Sequence, residues 1–272
     1  MDLAKVNCII SDLHCGSDRA IFPPSITLPP LMADDNERTL KYSLNQKKLF
    51  DHLMSCAQYV KANFKKHSKV IIINGDSIEG IHHQTIQLSA PMVSDHVLIH
   101  QEVVKLFLHE IGFSIKNGDE LHYNSGTEIH TGYTEQNIVE HFEPYNAKFH
   151  DEMKLTQHGK RLWFVHQWKG SGDGVSEGSA VTNGLKAMYY NSLKEGWEMP
   201  DFVCGSHFHK ATMSSFTQNW KTYYGMITPS FQMKTRHGHK VSAFQRNDIG
   251  MGLVEVAPNG LLNIHKPLLM ER

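Results

Sequence analysis

Apolar runs along this chain are short and stop abruptly on polar residues. Val6 to Ile10 reads as a buried strand, and Asp12-Leu13-His14 follows it. Val70 to Ile73 repeats the arrangement and runs into Asn74-Gly75-Asp76. Arg161 to Val165 ends at His166, and Asp201 to Cys204 ends at Gly205-Ser206-His207-Phe208-His209. Glu120 to Tyr123 reads as a further strand, followed by Gly126-Thr127-Glu128-Ile129-His130. Between these runs the period changes. Leu49, Leu53, Cys56, Ala57, Val60 and Phe64 fall at helical spacing and predict an amphipathic helix over 45–67. Helices are also expected over 94–113, 134–142 and 179–195. Alternating stretches at 210–217, 220–227 and 249–256 predict antiparallel strands. Four prolines within 21–30 exclude helix there and predict a long extended loop. A glycine-rich loop occupies 169–174; it lacks the Gly-Lys-Ser/Thr of a P-loop. With no repeat, low-complexity tract or linker, a single domain over 1–272 is expected.

Composition narrows the class without choosing a function. Hydrophobic residues make up 40% and charged residues 20%, as in a soluble globular protein. Lys plus Arg (27) nearly balances Asp plus Glu (28), so the net charge of -1 points to neither a nucleic-acid nor a membrane partner. A local patch can still hide in a neutral total. Lys234, Arg236, His237, His239 and Lys240 form such a basic run, on which a phosphate backbone could rest, although solvated loops more often carry such runs. Cys8, Cys15, Cys56 and Cys204 form no CxxC pair and read as free thiols of a reducing compartment. No apolar run nears the roughly 20 residues of a membrane span. The N-terminus runs straight into a strand, so a cytoplasmic protein is expected.

Histidine changes the picture. There are 19, about 7% of the chain. Asp or His stands just past a strand at 12, 76, 166 and 207, and in α/β sheets ligand sites gather at the carboxyl ends of strands. Asp12 and His14 are two apart, as are His207 and His209. In extended backbone, side chains at i and i+2 share a face and could reach one ion. Asp76 supplies a carboxylate able to bridge two ions, with Gly75 allowing a close turn before it. Mixed carboxylate and imidazole ligands suit Mn, Fe, Zn or Ni. Two such ions about 3.5–4 Å apart bind phosphoryl oxygens and activate water, with no covalent intermediate needed. Singly, each motif is weak: Gly-Asp often marks only a turn. Their order and their places at strand ends carry the signal.

Asp12-x-His14, Gly75-Asp76, His166 in Trp163-Phe-Val-His, and His207-x-His209 together resemble the calcineurin-like metallophosphoesterase superfamily. The pattern spans residues 12 to 209, about three quarters of the chain. The resemblance implies a four-layer α/β fold, a two-sheet β-sandwich flanked by helices, with metals at strand ends. It implies one ion held by Asp12, His14, Asp76 and His209, and a second by Asp76, His166 and His207. Manganese is the ion expected. The family's third motif, Gly-Asn-His followed by Asp or Glu, is altered here. Thr127 stands where Asn is expected, and His130 falls two places late. This Gly-Thr-x-x-His form, with Ser11–Ser17 and Asn74–Gly80, resembles uncharacterised metallophosphoesterases of phages and prophages. His130 is read as a shifted general acid or a substitute metal ligand, and Thr127 as a weak ligand at best. His82 and His83 could face the site or lie in a solvated loop, and Glu79 could support the ligands or cap a turn. The implied activity is hydrolysis of phosphate esters by a hydroxide held between two ions. Small or nucleotide substrates are expected first, a nuclease second, and a scaffold that has lost catalysis last.

Overall fold

A computed structural model describes residues 3–82, 86–131, 134–170, 172, 176–241 and 246–271. Its strands sort by parity. In β1 (Ala4–Ile10), Val6, Cys8 and Ile10 face one way and Asn7 and Ile9 the other. In β4 (His67–Asn74), Ile71 and Ile73 oppose Val70 and Ile72. Both faces are covered, which is why these strands read as unbroken apolar runs.

β1 and β4 pair in parallel, with β5 (Glu120–Asn124) and β6 (Lys148–His150) continuing the parallel order. β12 (Gly250–Val256) joins β1 antiparallel, and β13 (Leu262–Ile264) and β14 (Leu268–Leu269) close that edge. A second sheet runs in the order β10 (Thr212–Gln218), β11 (Lys221–Ile227), β9 (Phe202–Gly205), β8 (Lys160–Phe164), β7 (Met153–Gln157). Ile9, Val70, Ile72 and Val254 of the first sheet meet Leu162, Phe164, Phe202, Cys204 and Met226 of the second. Asn7 and Gln157 exchange side-chain amide bonds of 2.9 and 2.8 Å across that interface.

The outer faces are covered by helices. On the first sheet lie α1 (Leu44–Asn63) and α2 (Val93–Ile111); on the second lies α4 (Ser179–Glu195), where Val181, Leu185 and Tyr189 meet Val203, Tyr223 and Ile227. The layers are therefore α-β-β-α, as expected. Ser43 and Gln46 form a reciprocal capping box that starts α1. A short α3 (Thr134–Glu140) follows the 125–131 turn. No helix among the described residues is long and apolar enough to cross a membrane.

Three expectations change. The helix expected over 45–67 stops at Asn63, because the chain must turn to begin β4 at His67, opposite Ala4. Phe64 fits the apolar stripe but caps the helix, its ring 5.1 Å from that of His67. The proline-rich 21–30 segment is not only loop. Ser25–Leu28 forms β2, paired with β3 (Arg38–Lys41). Its prolines flank the pairing residues, so every residue in the ladder keeps its N–H. Arg38 docks the hairpin on α2 through two bonds of 3.0 and 2.8 Å to Asp95. The basic run starts a short helix, α5 (Arg236–Val241), instead of lying in a loop. All four cysteines are buried and free, and burial pushes every thiol up, Cys56 to about 12.

Candidate metal centre

β1, β4, β8 and β9 each end two residues before Asp12, Asp76, His166 and His207 respectively. The parallel pair β1–β4 lies in one sheet and the parallel pair β8–β9 in the other, so four carboxyl ends meet at one rim. A buried polar seam ties the sheets together there. The Asn74 amide donates to the Val165 carbonyl at 3.0 Å and to Ser206 Oγ at 2.6 Å, and the Asn124 amide donates to Asn74 Oδ1 and the Phe164 carbonyl, both at 2.9 Å. Backbone bonds from Asp12 to Gly75 and from His14 to Asp76 lock the first two loops together.

The ligands do not converge by strand alternation. Asp12, His14, Asp76, His207 and His209 all take left-handed backbone, with φ of 51, 42, 49, 72 and 52°. Extended i, i+2 geometry is therefore the wrong reason for a correct juxtaposition. Residues 13 and 208 stand between paired left-handed residues, and each loop coils tightly over the strand end. Asp and His tolerate this conformation better than most residues. It still costs about 1–3 kcal/mol at each position, and such strain concentrates at functional sites. Glycine is required beside it. A Cβ on Gly75 would collide with His166 Nδ1, and one on Gly126 with the Asp76 backbone nitrogen.

Asp12, His14 and His209 form one group of potential ligand atoms, and Asp76, His166 and His207 another. His209 Nε2 lies 3.1 Å and His14 Nε2 3.9 Å from Asp12 Oδ1. His166 Nε2 lies 3.1 Å and His14 Nε2 3.8 Å from Asp76 Oδ2, which thus stands between the two groups. Asp12 is 0% and Asp76 1% exposed. Asp12 Oδ1, His14 Nε2 and His166 Nε2 are buried without hydrogen-bond partners, a costly arrangement unless something satisfies them. These atoms converge, and a divalent transition ion fits their mixed oxygen and nitrogen chemistry.

The electrostatics agree. Burial works against both charges, but the surrounding imidazoles hold Asp12 and Asp76 well below the usual carboxylate range. Burial likewise opposes protonation of His14 and His166, yet Glu79, Asp76 and Asp12 push His14 up to about 9, and Asp76 and Asp12 push His166 up to about 10. The carboxylates draw positive charge into the rim.

A third group, His14, Glu79 and His130, overlaps the first. His14 Nδ1 lies 3.1 Å from Glu79 Oε2, so this group is better read as a carboxylate bracing an imidazole. Gln232 Nε2 donates to the same oxygen at 2.8 Å, and the Asn247 amide lies 2.8 Å from His209 Nδ1. His166 Nδ1 is fixed by the Asn74 carbonyl at 2.7 Å. Glu79 thus braces the His14 imidazole and does more than cap a turn.

Thr127 and His130 reach different neighbours. Thr127 donates its N–H to Asp76 Oδ1 at 2.6 Å and its hydroxyl to Asp76 Oδ2 at 3.1 Å; its oxygen lies 3.4 Å from His207 Nδ1. His130 stacks edge-on against His14, ring centroids 4.6 Å apart, and against His82 at 4.2 Å. Its Nδ1 donates to the Glu79 carbonyl at 2.9 Å, and burial and His14 push it down to about 4. His82 Nε2 approaches Glu79 Oε1 at 3.3 Å. His83 lies outside the described residues.

No family model matches the sequence, and no curated protein matches it. Several solved structures are similar to it. An archaeal phosphodiesterase has 8% identity and a TM-score of 0.43, over 97% of this chain and 99% of that one. A conserved Streptococcus pneumoniae TIGR4 protein, a predicted phosphoesterase, has 8% identity and a TM-score of 0.36 over both full lengths. The Thermus thermophilus sulfate thiohydrolase SoxB has 10% identity and a TM-score of 0.40, over 97% of this chain and 57% of that one. At such values the site stands on its own geometry.

Glu135 has no counterpart in the sequence reading. It is 1% exposed, and its carboxylate accepts from the Ser77 backbone N–H at 2.9 Å and the Gly126 backbone N–H at 2.5 Å. One side chain therefore fixes the residue after Asp76 and the residue before Thr127. A glutamate in the first turn of a short polar helix offers no sign of this from sequence. Asn74 did carry a signal: it is an amide closing the apolar run from Val70 to Ile73.

Proposed function

We propose that this chain hydrolyses phosphate esters with two divalent transition ions, manganese foremost. Asp12, His14 and His209 hold one, His166 and His207 the other, and Asp76 serves both. The observation that carries this reading is the convergence of three partnerless buried ligand atoms between two groups, on loops that hold left-handed backbone at five of six ligand positions. When bound, the ions supply Lewis acidity toward phosphoryl oxygens and a nucleophilic water near neutral pH.

The chain supplies position and proton control. Ser11 Oγ and the His207 backbone N–H occupy Asp12 Oδ2, leaving Oδ1 turned to the imidazoles. Thr127 fixes both oxygens of Asp76, and Glu79 and Asn74 orient His14 and His166 so that each presents Nε2. His130 moves the proton. With Nδ1 donated to the Glu79 carbonyl, its Nε2 is left as the atom that would take up a proton and hand it to the leaving oxygen. Thr127, lying by Asp76 and His207, takes the place of the missing Asn as an outer support of the second group.

Metal analysis of the purified protein should find up to two transition ions per chain, and manganese should stimulate hydrolysis of 4-nitrophenyl phosphate or its bis ester. Failure to bind metal, together with no stimulated turnover on either ester, would overturn the reading. The relative rates on the two esters separate monoester from diester chemistry.

A further inference from the structure

Outside the ligand groups, the basic run of the sequence lines a cavity. Arg19, Gln87, Lys234, Arg236 and His239 line an open cavity of about 440 Å³. Among the described residues three fixed cations, an imidazole and an amide line it, in a chain whose net charge is -1. Asp18 lies 3.8 Å from Arg19, but both side chains are more than two-fifths exposed, so that pair is weak.

The cavity wall is tied to the site by hydrogen bonds. Arg19 lies five residues after His14, and the Ser17 N–H between them donates to the His14 carbonyl at 3.0 Å. Met233 donates to the Arg19 carbonyl at 2.7 Å, Ala20 bridges Gln232, and Gln232 holds Glu79. On the other side, Asp18 donates to the Gln87 carbonyl at 3.0 Å, and the Arg236 N–H donates to Gln87 Oε1 at 2.7 Å. Hydrogen bonds through Arg19, Ala20 and Gln232 thus link the cation-lined cavity to Glu79 and so to the candidate centre.

We propose that this cavity receives a second phosphate of the substrate, one that is not under attack. The inference rests on the phosphoesterase reading above and names its substrate class: esters carrying at least two phosphates. Arginine suits such a role, since its planar fork binds phosphate oxygens in pairs. A cavity of this volume admits a phosphate with the sugar attached to it.

The test compares the manganese-loaded wild type with the double variant Arg19→Ala/Arg236→Ala. Substrates are bis(4-nitrophenyl) phosphate, with one phosphate, a thymidine trinucleotide, with backbone phosphates, and a nucleoside diphosphate. The preference for a multi-phosphate substrate, as a ratio of kcat/KM to the single-phosphate ester, should fall at least tenfold in the variant, chiefly through KM. Loss confined to the trinucleotide identifies a strand backbone; loss confined to the diphosphate identifies a pyrophosphate. Binding of fluorescein-labelled trinucleotide and of labelled diphosphate to metal-free protein, read by anisotropy, should weaken at least fivefold for the ligand concerned and recover only in part in Arg19→Lys/Arg236→Lys, which restores the charge without the fork. The salt slope of that binding should become shallower by about one. Unchanged ratios with unchanged binding would overturn the inference, as would equal loss on every substrate. If the wild type hydrolyses nothing, the phosphoesterase reading fails and the anisotropy still decides the cavity.

Discussion

The two ligand groups use the same residue types but are braced differently. In the Asp12 group, His14 leans on the Glu79 carboxylate at 3.1 Å and His209 lies 2.8 Å from the Asn247 amide. In the Asp76 group, His166 is fixed by a backbone carbonyl, but among the described residues the His207 ring nitrogens meet only the Thr127 oxygen, at 3.4 Å, and that hydroxyl is already donated to Asp76. A carboxylate behind an imidazole fixes its tautomer and raises its basicity. The Asp12 group should therefore hold its ion more tightly, and the Asp76 group should be the one left partly filled at limiting metal.

Four experiments break or sharpen that contrast. Asp76→Asn removes the carboxylate proposed to serve both groups and should lower kcat by roughly a thousandfold or more, the scale seen when a central member of a catalytic unit is lost. Circular dichroism should show the fold retained; near-normal turnover would refute sharing. Glu79→Gln should weaken the tighter site about 10–100-fold in a manganese titration and leave the weaker one in place. Equal weakening of both would erase the distinction.

Metal affinity should also rise with pH. His14 and His166 are pushed to about 9 and about 10, so both carry protons at pH 7 that an ion must displace. Apparent affinity should gain about tenfold per pH unit for each proton released, levelling off above pH 10. The same raised values stabilise the metal-free protein fully below pH 6.5, and that contribution is lost as pH rises through 9 and 10. Melts in chelator should show Tm falling between pH 7 and 10; a flat profile would refute the coupling. The smallest effect is expected from Thr127→Asn, which puts an amide oxygen beside Asp76 and His207 and should tighten the weaker site several-fold, up to about tenfold. No change in that site would show that the third loop is only a support for Asp76.

Much of this centre is readable from the chain because its candidate ligands are chemically distinctive and follow apolar strands directly. Asp12, Asp76, His166 and His207 each lie two residues past a strand end, where the layers leave room for little else. What holds them is less visible. Glu135 looks like a surface glutamate until tertiary packing buries it on two loop N–H groups. Left-handed backbone at Asp12 and His14 leaves no trace in a period of two. Strand pairing was hidden where proline is frequent, since only their placement at 23–24 and 29–30, outside Ser25–Leu28, permits a ladder. Thr127 and His130 share one turn, yet whether they share one neighbour depends on side-chain directions that spacing alone does not settle.

Each ligand group draws from both sheets: Asp12 and His14 face His209, and Asp76 faces His166 and His207. Ions seated there would act as rivets through the open end of a sandwich whose other fastenings nearby are amide and hydroxyl contacts such as Asn74 to Ser206. Pulled apart by force across its two sheets, the loaded protein should resist far more than the stripped one, and the break should begin at this rim.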